Sequence, residues 1–177
     1  DDDCEPVWTG RTDGPATSVA IGDGLAYTVA RGQLMAFRLS CTGRCEPLWR
    51  APFVPGASFA TGATSAPAVA DGRVLVGDDR GRLWVFRSTC DEQRCEPVAS
   101  YDVATTALHT PAIDGTRAIV TSANGALARV LLDCAADTPC DRVRVRSLSA
   151  PTTVPAVFAP EATIAGADDG SLEAFKW

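Results

Sequence analysis

A chain of 177 residues, 46% of them apolar, can bury one sizeable core. Its formal net charge of −6 argues against a nucleic-acid interface, which presents a basic face, and against an anionic membrane surface. No apolar run approaches the roughly 18–20 residues of a membrane helix, so membrane insertion is not expected.

The start, Asp1-Asp2-Asp3-Cys4, is acidic where a secretory signal would be basic. A mature form or an excised segment is therefore expected. The phrase that follows, CEPVWTG at residues 4–10, returns as CEPLWRA at 45–51 and as CEPVASY at 95–101. A larger unit recurs with it. The first copy runs from Ala16-Thr-Ser-Val-Ala-Ile21 into GDGLAYTVARGQLMAF, and the second from Thr64-Ser-Ala-Pro-Ala-Val69 into DGRVLVGDDRGRLWVF. The third joins Leu108-His-Thr-Pro-Ala-Ile113 to DGTRAIVTSANGALARV, and the fourth joins Thr152-Thr-Val-Pro-Ala-Val157 to FAPEATIAGADDGSLEAF. A period of about 45 residues signals a propeller blade or another repeat array.

Each unit reads as four antiparallel strands. In the second unit these are A (Ser65–Ala70), B (Arg73–Gly77), C (Arg82–Arg87) and D (Glu96–Val103). The β-rich runs Val74-Leu-Val76 and Leu83-Trp-Val-Phe86 flank a turn that ends on Gly81, and the matching turns end on Gly32, Gly125 and Gly170. Glycine there suits a hairpin residue with positive φ. No 3.6-residue apolar period is long enough for a helix. Pro67, Pro111 and Pro155 share one place in strand A, where Val19 stands in the first unit. Proline cannot donate to a ladder, so strand A belongs at an edge, the innermost one, with Ala20, Ala68, Ala112 and Ala156 close to the axis. Trp8, Leu48, Trp49 and Val98 are expected to pack between blades.

The fold expected is all-β: a propeller of four four-stranded blades, with units at about 9–50, 51–103, 104–147 and 148–177. The fourth unit has A (Thr153–Phe158), B (Ala162–Gly166) and C (Ser171–Lys176), while CEPVW is a strand D on its own. Glu5–Trp8 is therefore expected to pair antiparallel with Ser171–Lys176 and complete the last blade. The closure could lie within one chain, giving a monomer, or between two, giving an eight-bladed C2 dimer.

The stretch SAPAVADGRVLVGDDRGRLWVF resembles the PQQ-like β-propeller repeat, which is also seen in the lipoprotein of the outer-membrane assembly machinery. The resemblance covers nearly the whole chain and implies the blade. Its superfamily includes quinoprotein dehydrogenases, assembly scaffolds and sensor domains of bacterial kinases, and fold does not choose among them. The dehydrogenases carry adjacent cysteines and an acidic calcium site beside the cofactor. This chain has no Cys-Cys dipeptide, and no position receives those residues. No cofactor and no metal are expected.

Cys41 and Cys45, Cys90 and Cys95, and Cys134 and Cys140 each flank a C–D loop and are expected to be disulfides stapling their hairpins, which implies an oxidising compartment. Zinc would need two pairs to meet, yet pairs on separate blades point apart. Cys4 is left unpaired or bonded between chains.

Thr17, Ser65, His109 and Thr153 align at the start of strand A and could ring one mouth of the channel as a ligand site. A lone histidine among hydroxyls is more often structural than catalytic. Asp78-Asp79 and Asp168-Asp169 could contribute to a calcium site, but they read better as turn formers. Arg142, Arg144 and Arg146 alternate and read as the solvated side of an outer strand.

The leading functional expectation is a non-catalytic, extracytoplasmic propeller that binds a protein or a small molecule, as a scaffold or as the sensor part of a longer receptor or kinase. A fragment of a quinoprotein-type dehydrogenase and a glycan-binding module are the alternatives.

Overall fold

A computed structural model describes residues 4–52, 65–91, 93–133 and 142–177. The described residues form strands and no helix. β1 (Trp8–Gly10) precedes a first sheet of β2 (Ala20–Gly22), β3 (Leu25–Ala30), β4 (Gln33–Arg38) and β6 (Trp49–Pro52); β5 (Gly43–Cys45) stands outside it. The second sheet runs β7 (Ala68–Ala70), β8 (Arg73–Gly77), β9 (Arg82–Arg87) and β10 (Ala99–Asp102). The third runs β11 (Ala112–Asp114), β12 (Arg117–Thr121), β13 (Ala126–Leu131) and β14 (Val143–Ser147). The fourth has three strands, β15 (Val157–Ala159), β16 (Ala162–Gly166) and β17 (Leu172–Phe175). Every pairing inside these four sheets is antiparallel, and all but β4 with β6, which β5 separates, join sequence neighbours.

In the second sheet, strands B and C span the residues expected of them. Strands A and D begin later than expected, and the prolines explain why. β7 and β11 start immediately after Pro67 and Pro111, and β10 starts two residues after Pro97. A residue without an N–H cannot donate to the ladder.

The turns between B and C hold Gly32, Gly81, Gly125 and Gly170 at φ of 69°, 87°, 82° and 88°, the left-handed region expected of them. Gly81 is required twice over. A Cβ there would stand 2.2 Å from the Ala104 carbonyl oxygen. That strap lies on the turn because the amides of Val103 and Ala104 donate to the Gly81 carbonyl at 3.0 and 3.1 Å.

Because consecutive sheets stack face to face, strands B and C of the first two sheets are buried on both sides. Tyr27, Leu34 and Trp49 of the first sheet pack against Val74, Val76, Trp84 and Phe86 of the second. Leu75, Leu83 and Val85 turn the other way, onto Ala118, Val120 and Val130 of the third. Ile119 and Leu127 meet Ala156, Ala165, Phe175 and Trp177 of the fourth unit. Strand A is at the edge of every sheet, and these edges adjoin in series: β2 beside β7, β7 beside β11, β11 beside β15. The approach is close, since a Cβ on Gly22 would stand 2.8 Å from Val69 Cγ2. This agrees with an inner position for strand A and its alanines.

Three expectations are corrected. First, the N-terminal strand does not complete the last sheet. β1 pairs in parallel with β5, Trp8 opposite Gly43, and Trp8 stacks on Phe37 with ring centroids 5.9 Å apart. The outer face of the first sheet, with Met35 and Phe37, is the apolar surface nearer in sequence, and the segment covers it. Second, the fourth sheet accordingly has three strands and not four. Third, Val98 is 54% exposed and is no interblade wedge, whereas Trp49 is buried as expected. Cys41–Cys45 and Cys90–Cys95 are disulfides, and Cys4 is free and exposed. The pair Cys134 and Cys140 lies outside the described residues.

Candidate functional site

The aligned residues Thr17, Ser65, His109 and Thr153 stand where strand A begins, and three of them tie strand A to the end of strand B. The Thr17 amide donates to the Val29 carbonyl at 2.8 Å, and the Val29 amide donates to Thr17 Oγ1 at 3.2 Å. The Gly77 amide donates to Ser65 Oγ at 3.2 Å, and that hydroxyl donates to the Ala66 carbonyl at 3.0 Å. The His109 amide donates to the Thr121 carbonyl at 2.9 Å. Thr153 differs: its hydroxyl donates to Asp168 Oδ1 at 3.2 Å. Ser65 is fully buried and Thr153 is exposed, so the four equivalent places do not present equivalent side chains.

The same region joins one sheet to the next. His109 Nε2 lies 2.9 Å from the Thr152 carbonyl, which can only accept, so Nε2 is the donor of this bond. The Thr121 hydroxyl donates to the Val154 carbonyl at 2.8 Å. Between the second and third sheets the Ala66 amide donates to Thr110 Oγ1 at 3.2 Å. A nucleophile needs a base within reach to take its proton. The Ser65 proton goes to a backbone carbonyl, and the His109 ring proton goes to another. Both bonds position backbone.

The aspartates act as turn formers. Asp78 is almost fully buried, and its Oδ1 accepts the amides of Arg80 and Arg82, each at 2.9 Å. Its Oδ2 accepts the Trp84 indole N–H at 3.0 Å. In the third sheet Asn124 Oδ1 accepts the Ser122 hydroxyl at 2.6 Å, and in the fourth Asp169 Oδ1 accepts the Ser171 amide at 2.9 Å. Bonds from Ser171, with a further one from Ser149, hold the Asp169 carboxyl below its ordinary range. Among the described residues no three His, Cys, Asp or Glu side chains converge as metal ligands.

The residues that sequence reasoning undervalued are the arginines of the third sheet. Arg144 and Arg146 are exposed, as expected. Register places Arg144 opposite Arg129 and Arg146 opposite Leu127, on the face turned to the fourth sheet. The strict alternation of β14, set against the single Arg129 in an apolar β13, carried that signal.

No protein-family model matches the chain, and no curated protein matches it in sequence. Solved structures do match in fold. The computationally designed Ika4 protein aligns at TM-score 0.70 and 15% identity, over 97% of this chain and 98% of its own. BamB from Moraxella catarrhalis aligns at TM-score 0.69 and 18% identity, and the designed Ika8 protein at 0.66 and 14%. These two cover 96% and 94% of this chain, which spans 51% of the BamB chain and 48% of the Ika8 chain. At such identities the likeness establishes the fold: this is a β-propeller scaffold whose stacked sheets are blades.

Proposed function

We propose that the chain is a four-bladed, non-catalytic propeller module that works outside the cytoplasm and binds a protein or small-molecule ligand. The observation that carries this reading is the commitment of the mouth side chains. Thr17 and Ser65 hold strand A to strand B within their blades and His109 joins the third blade to the fourth, leaving loops and blade edges as the surface for a partner. The two hairpin disulfides support an oxidising compartment, because such bonds persist where thiols are not kept reduced. The fold likeness to BamB and the resemblance of the repeat to PQQ-like blades agree with a scaffold or sensor role.

A photocrosslinking side chain placed at Thr153 and at Thr105, both exposed, tests the reading in the native host. A discrete adduct at one position and not the other supports a binding surface. Turnover by the purified chain that is abolished in His109→Ala, or a saturable absorbance change with PQQ and calcium, overturns it.

A further inference from the structure

The joint between the third and fourth blades is built differently from the joint before it. In the second blade, β9 and β10 pair Val85 with Ala99 and Leu83 with Tyr101 on the face turned to the third blade. In the third blade, β13 and β14 place Arg129, Arg144, Leu127 and Arg146 at the corresponding places. Three arginines thus replace Val85, Ala99 and Tyr101 at the outer half of an interblade face.

The fourth unit answers with aromatic rings. The guanidinium carbon of Arg129 lies 5.3 Å from the Trp177 ring centroid, and that of Arg146 lies 5.9 Å from it. Arg117 lies 5.7 Å over Phe158. Trp177 is fixed by its indole N–H, which donates to Thr163 Oγ1 at 3.0 Å, and by Phe175, 6.4 Å away. Between them is a cavity of ≈ 120 Å³ lined by Arg117, Arg129, Phe158, Thr163, Phe175 and Trp177.

The cavity lining carries Arg117, Arg129 and Glu161; Arg146 is not part of it but lies against the same Trp177 ring. Arg117 pairs with Asp114, and Glu161, also at the cavity, lies 3.8 Å from Lys176. Among the described residues Arg129 and Arg146 have no carboxylate partner, and Arg129 Nε is buried with no hydrogen-bond partner at all. Burial, with Arg144 and Arg117 nearby, holds the Arg129 guanidinium below its ordinary proton affinity. Stacking on a ring satisfies the face of a guanidinium and leaves its in-plane N–H donors unspent.

We propose that this cleft binds a sulfate- or phosphate-class oxyanion, held by the in-plane donors of Arg129 and Arg146 beside the Trp177 ring. Two guanidiniums against one ring, neither paired with a carboxylate among the described residues, suit a divalent oxyanion, and a planar fork gives oxyanions paired, charge-assisted hydrogen bonds. The neighbouring joint is the natural contrast: its cavity of ≈ 420 Å³ has Val85, Val98, Ala99, Tyr101 and Leu132 on its walls, and its Arg73 pairs with Asp133. The inference does not depend on the recruitment reading above, because an anion would bind here whatever the module recruits.

The test is calorimetry and thermal melting of the 177-residue chain with sodium sulfate, inorganic phosphate and phenyl phosphate, each against sodium chloride at matched ionic strength. The expected result is saturable heat and a rise in Tm beyond chloride. Binding should weaken about tenfold or more in Arg146→Gln and clearly in Arg129→Lys, and persist in Arg87→Gln, a surface variant at the apolar joint. Tighter binding of phenyl phosphate than of phosphate identifies a monoester-bearing ligand; the reverse identifies the free anion. Equal responses to sulfate, phosphate and chloride overturn the proposal, as does binding left unchanged in both Arg146→Gln and Arg129→Lys. Arg146 is on the surface, so the first variant is expected to fold even if the second does not.

Discussion

The Tyr27 hydroxyl donates to the Ser88 carbonyl at 2.9 Å, crossing from the first blade to the second. Its ring is fully buried beside Trp49, with centroids 5.9 Å apart. Burial, and next the charge of Asp23, push the phenol from an ordinary 10.0 up to about 12. The unfolded chain then ionises this group first as pH rises. The native state binds more protons between the two values, so stability falls there and is unaffected below pH 10. The slope should reach about 1.4 kcal/mol per pH unit from this one group. Urea denaturation at intervals from pH 8 to pH 12 measures it. Tyr27→Phe should cost about 1–2 kcal/mol at pH 7, from the lost bond. It should also flatten the alkaline fall, and a fall as steep in Tyr27→Phe as in the parent would refute the assignment.

Asp78 accepts three hydrogen bonds from a nearly buried position, two from turn amides and one from the Trp84 indole. Asp78→Ala would leave all three donors without their acceptor, and the expected loss is about 2–4 kcal/mol. Asp78→Asn keeps one carbonyl oxygen and should lose less. Equilibrium unfolding of the two variants gives the comparison; an Asp78→Ala protein as stable as the parent would show that water replaces the carboxylate at no cost.

Much of the blade was legible because repetition multiplies weak signals. One Gly after a polar turn says little, but Gly32, Gly81, Gly125 and Gly170 in register fixed the B–C hairpin, and all four have positive φ. Val74-Leu-Val76 reads as a strand buried on both faces, since neither the odd nor the even positions are polar. What escaped was the fate of the N-terminal phrase. CEPVW has the composition of a strand D, and composition does not say which exposed edge such a strand will choose. The choice fell to packing of Trp8 on Phe37, a contact between residues with no shared motif. The arginine cleft was hidden for a related reason. Arg142, Arg144 and Arg146 reveal an alternation, but only register with β13 reveals which face they share and that Trp177 comes to meet them.

Closed by disulfides, the C–D loops of the first two blades should resist local opening. Each loop is short, with sequence separations of 4 and 5 residues, and the chain-entropy model gives about 2 kcal/mol for each bond. Non-reducing peptide mapping should recover Cys41 joined to Cys45 and Cys90 joined to Cys95, with Cys4 free to alkylate. Recovery of these four as free thiols, or of stoichiometric zinc, would remove the support for an oxidising compartment.

Crowding along the inner strands gives a further check. β7 lies between β2 and β11, and Val69 already fills the space over Gly22. Ala68→Leu and Ala112→Leu should each overpack this inner ring and cost about 1–3 kcal/mol. Melting temperatures unchanged in both variants would place these residues away from the axis.

The N-terminal segment should act as part of the first blade and not as a link to the last. β1 runs parallel to β5, the Gly43 amide donates to the Val7 carbonyl at 3.0 Å, and Trp8 stacks on Phe37 at an interplanar angle of 22°. Beneath it lie Met35, Phe37 and the half-cystine Cys45, all nearly inaccessible to water. Trp8→Ala would open that surface and should cost about 2–3 kcal/mol, below the value for a fully buried tryptophan because Trp8 is only half-buried. Location separates this from the expected clasp. Hydrogen exchange in Trp8→Ala should quicken at the amides of residues 25–38 and stay unchanged at residues 162–175. Because β5 ends at Cys45, the cost should also be smaller than additive when Trp8→Ala is combined with removal of the Cys41–Cys45 bond, since both changes loosen the same strand. Faster exchange in residues 172–175, with the first blade still protected, would instead mean that in solution the segment reaches the last blade.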